Sequence, residues 1–239
     1  MWWDSLITWW NGFSYAIYRN IIYNNRWQIY LDGLGNTLII TLGAAIIGIF
    51  LGSLVAICKI YARDHRWMKP LEVICDIYLT VIRGTPVVVQ LMIFAYVIFN
   101  TSLAMMVYVG ALCFGINSGA YVAEIVRAGI QSIDKGQTEA GRSLGLTQNK
   151  TMRYILLPQA VRNILPALGN EAIVLMKETA VVAVIAVHDL TYAAVLIRSR
   201  TFDAFVPLLF ISIVYLSLVM LMTWGLRVME RRLAQSDHR

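Results

Sequence analysis

Apolar residues gather along the chain into five long runs, at about 37–58, 71–99, 103–125, 163–187 and 205–226, with short polar stretches between them. Each run reaches the ~20 residues that a helix needs to cross a hydrocarbon core about 30 Å thick. The pattern predicts an all-α polytopic membrane protein with five transmembrane helices. The second run is too long for one crossing, about 43 Å at 1.5 Å per residue. Its first turns are therefore expected in the cytoplasmic interface. The first run carries Gly43, Gly48 and Gly52 on one stripe, where a second helix can approach closely. Pro86, inside the second run, lacks a backbone donor and crowds the carbonyl of Ile82, which predicts a kink. Pro166 and Gly169 predict an irregular start to the fourth span, and residues 188–204, with Asp189, Arg198, Arg200 and Asp203, read as a mixed polar loop.

Two segments fall outside these runs. Residues 1–34 interleave Trp2, Trp3, Trp9, Trp10, Phe13, Tyr15 and Tyr18 with Asn, Asp and Arg, too many polar groups for a span. Trp and Tyr favour the headgroup level, so an amphipathic helix lying in the outer interface is expected, with a partner-binding surface as the alternative. Residues 231–239 form a basic tail.

Between the third and fourth spans stands EAGRSLGLTQNKTMRYILLP, residues 139–158. Good helix formers run from Glu139 to Gly145, a residue that enters the left-handed region without a Cβ penalty. Thr147 suits an N-cap, and a second helix is predicted until Leu157 meets Pro158. Glu-Ala-small, three residues, Gly, nine residues, Ile-x-Leu-Pro resembles the cytoplasmic EAA signature of type I ABC importer permeases, departing only at Gly141, where Ala is usual. The resemblance implies a permease domain over about 35–230 and makes this turn a cytoplasmic coupling helix. Glu139, Ala140, Gly141, Leu144 and Gly145 would then dock in a groove of an ATPase subunit.

Composition fits a membrane protein: 59% of residues are hydrophobic and mean hydropathy is +0.64. The net charge of +6 does not point to nucleic acid, because fourteen of the 20 Lys and Arg sit after the first span, around 127–162 and in the C-terminal tail. By the positive-inside rule the N-terminus is expected outside and the C-terminus inside. Cys58, Cys75 and Cys113 have no metal-type spacing and read as small core hydrophobes; His65, His188 and His238 are scattered and support neither a metal site nor a triad. MWWD lacks the basic start of a cleavable signal.

Polar residues within the spans are the candidate chemistry. Arg83-Gly84-Thr85-Pro86, followed by VVVQ, leaves two readings: a Pro kink with a snorkelling Arg, or Thr85 and Gln90 looking into a translocation path. Asn117, Tyr121 and Glu124 share one helical face, with Arg127 in reach of Glu124; Asn117 must face protein or a cavity. In the fourth span Glu171 and Glu178 lie near one face, with Asn170 and Lys177 on the next. Charges at helix centres cost at least ~2.5 kcal/mol each, so they line a cavity or pair across helices, Arg83 being the obvious partner. The strings RGTP…VQ and NSGAYVAEIVRAGI resemble the polar amino-acid subfamily of these permeases, and Lys177-Glu178-Thr179 its Lys-acidic-Thr-Ser motif, with Ala180 in place of Ser.

The resemblance implies an ATP-driven amino-acid importer of the bacterial cytoplasmic membrane, working by alternating access. Its partners would be an ATPase dimer, a second permease subunit and an extracytoplasmic solute-binding protein. No Walker A string occurs, so ATP and Mg²⁺ are expected on the ATPase and no cofactor on this chain. A different small polar solute, a channel and a membrane-embedded enzyme are the alternatives. The coupling loop argues against a channel, and the lack of an HExxH, GxSxG or Cys/His cluster against an enzyme.

Overall fold

The computed structural model describes residues 2–62 and 66–235; Arg63 and His65 of the first basic loop, and His238 and Arg239 of the tail, lie outside them. Among these residues the chain is helical throughout: α1 (Trp2–Ile17), α2 (Arg26–Ala62), α3 (Lys69–Gly84), α4 (Val87–Ile93), α5 (Leu103–Gln131), α6 (Lys135–Ser143), α7 (Gln148–Thr151), α8 (Leu157–Glu178), α9 (Leu190–Thr201) and α10 (Phe205–Gln235). Three helical stretches are long and apolar enough to cross a membrane as they stand, and two bent pairs raise the number to as many as five if each pair is one span.

The glycine stripe of α2 is the spine of the fold. A methyl group added at Gly43 would lie 3.2 Å from Ala111 Cβ, one at Gly48 3.1 Å from Ser118 Cβ, and one at Gly52 2.6 Å from the Gly119 carbonyl oxygen. The contacts climb together along both chains, so α2 and α5 are parallel, and α3 and α4 carry the chain back between them. Ile40, Ala44, Leu91, Phe114, Leu175 and Val182 close the main core around this pair. On the other side of α5, Ala160 and Ile164 of α8 pack against Val122 and Val126. Gly52→Ala is expected to cost about 1–3 kcal/mol, because a backbone oxygen and Val122 Cβ cannot both yield. Gly35→Ala, with open space around it, is the control. Thermal unfolding of the purified chains compares them; equal midpoints for Gly52→Ala and parent would mean that this register is wrong.

Several sequence expectations need correction. The run 71–99 is not a single kinked helix: it breaks at Thr85–Pro86, and its two halves stand at 107°. The residue before a proline is pushed out of the α region, and Thr85 accordingly takes φ −120°, ψ 145°. Pro158 does not end a helix; it sits in the first turn of α8, where a missing N–H costs nothing. Pro166 and Gly169 lie within continuous helix, and the irregular geometry falls instead at the π-turn Met152–Leu156 and the 3₁₀ turn Thr179–Ile185. Residues 190–201 are a helix rather than a loop. Asp189 caps it, accepting from the backbone N–H of Tyr192 at 2.8 Å and of Thr191 at 3.1 Å. Finally, α2 begins at Arg26, well inside the segment assigned to the interface, after a break at Asn24 and Asn25 with φ of 54° and 55°. Asn tolerates the left-handed region better than most residues.

Candidate translocation path and coupling helix

The helix break creates the polar centre of the fold. Thr85 and Pro86 are extended, so the last carbonyls of α3 lose their helical partners. Gln90, one turn into α4, is buried and turns back over them. Its Nε2 donates to Ile82 O at 2.8 Å, Thr85 O at 3.1 Å and Thr85 Oγ1 at 2.8 Å. Its Oε1 accepts from Asn117 Nδ2 of α5 at 3.1 Å. The carbonyl that Pro86 frees is thus satisfied by a side chain four residues on, as a low-dielectric surrounding requires. Thr85 Oγ1 in turn donates to Val81 O at 2.8 Å.

The next residue of α5 reaches the opposite way. Ser118 Oγ donates to Glu171 Oε1 of α8 at 2.8 Å, so neighbouring side chains tie α5 to α4 and to α8. Ser118 carries no sequence signal of its own beyond its place beside Asn117. Thr179 is fully buried and donates to Met176 O at 2.7 Å. Asn170, Lys177 and Glu178 are exposed, and none has a hydrogen bond or ion pair among the described residues. Arg83 does not turn to them: its guanidinium lies over the Tyr121 ring, 5.5 Å from the centroid. Those two residues line a cavity of about 510 Å³ with Lys59, Asp76 and Glu124. Lys59 pairs with Asp76 there, and Arg127 pairs with Glu124 as their spacing predicts.

At the end of α5 the coupling segment is compact. α6 starts earlier than expected, at Lys135, with Asp134 Oδ1 accepting from Gly136 N at 2.6 Å. Its end is a Schellman motif: Leu146 N donates to Gly141 O at 3.1 Å and Gly145 N to Arg142 O at 2.9 Å, with Gly145 at φ +79°. Glu139, Ala140, Leu144 and Gly145 are exposed, Leu144 to 79%. Gly141 faces inward, where a methyl group would lie 2.7 Å from Thr151 Cγ2 and 2.9 Å from Ile155 Cδ1. The contact with the turn below leaves no room at 141 for the usual alanine. Thr147 stands at the N-cap of α7, but its side chain makes no capping bond.

Residues 48–235 match the family of binding-protein-dependent transport system inner membrane components. The chain belongs to this family. Among its relatives the permease is 40% identical to the arginine transport system permease protein ArtQ of Bacillus subtilis, over 87% of this chain and 93% of that one. It is 36% identical to a putative glutamine transport system permease protein, GlnP, of Rickettsia bellii, over 86% and 93%. Among solved structures it superposes on a crystal structure of an amino acid ABC transporter with histidines at a TM-score of 0.79 and 42% identity, covering 86% of this chain and 94% of that one. The MetNI methionine ABC transporter, inward facing, shares the fold at a TM-score of 0.73 and 20% identity, over 89% and 99%.

The permease is therefore an inner-membrane transport subunit rather than an enzyme, and its family implies an ATPase partner and a substrate-binding protein. The helical membrane fold stands as the apolar runs predict, with three unbroken spans among the described residues and up to five if each bent pair is one span. The family match opens at Gly48, inside α2, and so leaves α1 and its aromatic residues outside it.

Proposed function

We propose that the permease imports a polar amino acid across the bacterial cytoplasmic membrane by alternating access, driven by a separate ATPase docked on α6. The single observation that carries this reading is the exposed knob Glu139–Gly145 at the end of α5, held rigid by its cap at Asp134 and its Schellman turn. A rigid projection on one end of a span transmits a push to that span, and α5 holds Asn117 and Ser118 at the polar centre. The arginine and glutamine relatives support an amino acid as substrate. The basic loops support a C-terminus and α6 inside and an N-terminus outside, and ATP with Mg²⁺ would belong to the ATPase dimer. A second permease subunit completes the path, and a solute-binding protein delivers from outside.

Thr85, Gln90, Asn117, Tyr121, Asn170, Glu171, Lys177, Glu178 and Thr179 are the residues we assign to the path. Lys177 and Glu178, side by side and unpaired, offer a zwitterion an ammonium and a carboxylate. Lys177→Met and Glu178→Gln should each lower uptake roughly 10- to 100-fold, one charge-assisted bond being worth roughly 1.5–3 kcal/mol, with assembly intact. Proteoliposomes holding permease, ATPase and binding protein, assayed with labelled amino acids, test both statements. ATP-dependent accumulation of one or a few polar amino acids is expected. Intact ATP hydrolysis with no amino acid accumulated would sink the substrate reading, and normal uptake by both variants would move the site elsewhere.

A further inference from the structure

At the end of the molecule opposite α6 lies a basic pocket with no part in the path or the coupling helix. Its volume is about 370 Å³, and Tyr15, Tyr18, Arg19, Tyr23, Arg26, Arg200 and Thr201 line it. Three separate parts of the chain build it: the end of α1 with its π-turn, the start of α2, and the last turn of α9. The left-handed pair Asn24–Asn25 folds the chain so that Tyr23 and Arg26 come back beside Arg19. Arg26 donates to the Arg19 carbonyl and lies over the Tyr23 ring, 5.4 Å from its centroid. Asp203, at 3.6 Å, holds Arg19, and buried Asn20 donates to the same carboxylate at 2.7 Å. Three guanidiniums meet one carboxylate, so the pocket keeps a net positive charge of two. Arg19 Nε is moreover a buried donor without a protein partner. That atom is closed off from the pocket as the side chain lies, whereas exposed Arg200 offers N–H donors to an anion with several oxygens.

We propose that this pocket binds a phosphate group, that of an anionic phospholipid headgroup. Forked guanidiniums and phenols match the geometry of phosphate oxygens, and Arg is the residue best suited to hold them. The lipid source follows from the surroundings. α2 is 37 residues long, about 55 Å, so its first turns stand clear of a hydrocarbon core about 30 Å thick. One to three turns before the pocket α1 carries the exposed Leu6, Ile7, Trp9 and Trp10. Apolar and indole side chains at that level suit acyl chains and the headgroup boundary. The pocket thus ties α1 to the bundle through a lipid that touches both.

The test uses the purified full-length permease in detergent, titrated with phosphatidylglycerol, with phosphatidylcholine or with inorganic phosphate, thermal unfolding being the readout. Phosphatidylglycerol should raise Tm where phosphatidylcholine does not. Arg200→Glu, on an exposed residue, should abolish the rise, and Arg200→Lys should keep most of it. Arg200→Ala, which removes the charge as well as the guanidinium without reversing it, should weaken the apparent affinity for phosphatidylglycerol about tenfold. An equal rise with inorganic phosphate at the same concentration would overturn the lipid source. No difference between the two lipids, or a full rise in Arg200→Glu, would overturn the site. If Arg200→Glu kept the lipid response and lost only binding of the solute-binding protein, the pocket would belong to that partner and the proposal would fail.

Discussion

Gly145→Val should insert and fold yet lose ATP-driven uptake. The residue is at φ +79°, and a β-branched side chain there costs roughly 1–2 kcal/mol, a factor of about 5–30 in the population of this turn. Open space surrounds Gly145, so no clash inside the chain spreads the damage to the spans. What changes is the Schellman turn, on which the placing of Leu144 and Glu139 depends. Gly145→Asn should retain more activity, since Asn enters the left-handed region at lower cost. Glu139→Lys should weaken docking less sharply than Gly145→Val, because an exposed charge can reorient. Copurification of the ATPase and its stimulation by loaded binding protein separate these cases. Unchanged coupling in Gly145→Val would mean that this helix is not the transmitting element.

The second large effect belongs to Gln90. Gln90→Leu removes the donor to Ile82 O and Thr85 O and leaves Asn117 Nδ2 without its acceptor. Each unpaired buried group costs about 1–3 kcal/mol, so the break at Thr85–Pro86 should lose several kcal/mol of support. A lower Tm and poor recovery of folded protein are expected. Asn117→Leu should be milder, as it leaves only Gln90 Oε1 unpaired. The double variant should be less harmful than the two single losses added together. Additive losses would show that the Gln90–Asn117 contact does not exist in the folded protein.

Local chemistry with one dominant physical cause was legible in the sequence. Gly43, Gly48 and Gly52 announce a close helix contact because nothing else makes an apolar stripe of that kind useful. Gly145 announces a left-handed turn, and Pro86 a break. The size of that break was not read, although the extended preference of Thr85 before a proline pointed to it. Pro158 and Pro166 show the limit of such rules. The same ring ends a helix, starts one or is absorbed, depending on whether a preceding carbonyl needs its bond. Asp189 is a missed N-cap: followed by LTYAAVLI it signals a helix, and its polar neighbours Arg198 and Arg200 obscured that. The candidate site was legible as a set of polar residues but not as an arrangement. Gln90 and Asn117 are 27 positions apart, and only the bend brings their amides together. Glu171 is reached through Ser118, a residue that carries no charge and no periodicity.

The parallel pairing of α2 and α5 also constrains how the protein is made. A span inserted into the membrane during synthesis meets its neighbours in the order in which they leave the ribosome. Gly43 and Ala111, or Gly52 and Gly119, are about 70 residues apart, so at roughly 5–20 residues per second the first span waits on the order of 4–14 s for its partner. During that interval its glycine groove faces lipid or the insertion machinery, and α3 and α4 must enter before the groove can close. Substitutions along the groove should therefore reveal themselves first as truncated or degraded nascent chains, before any mature protein has been tested for transport.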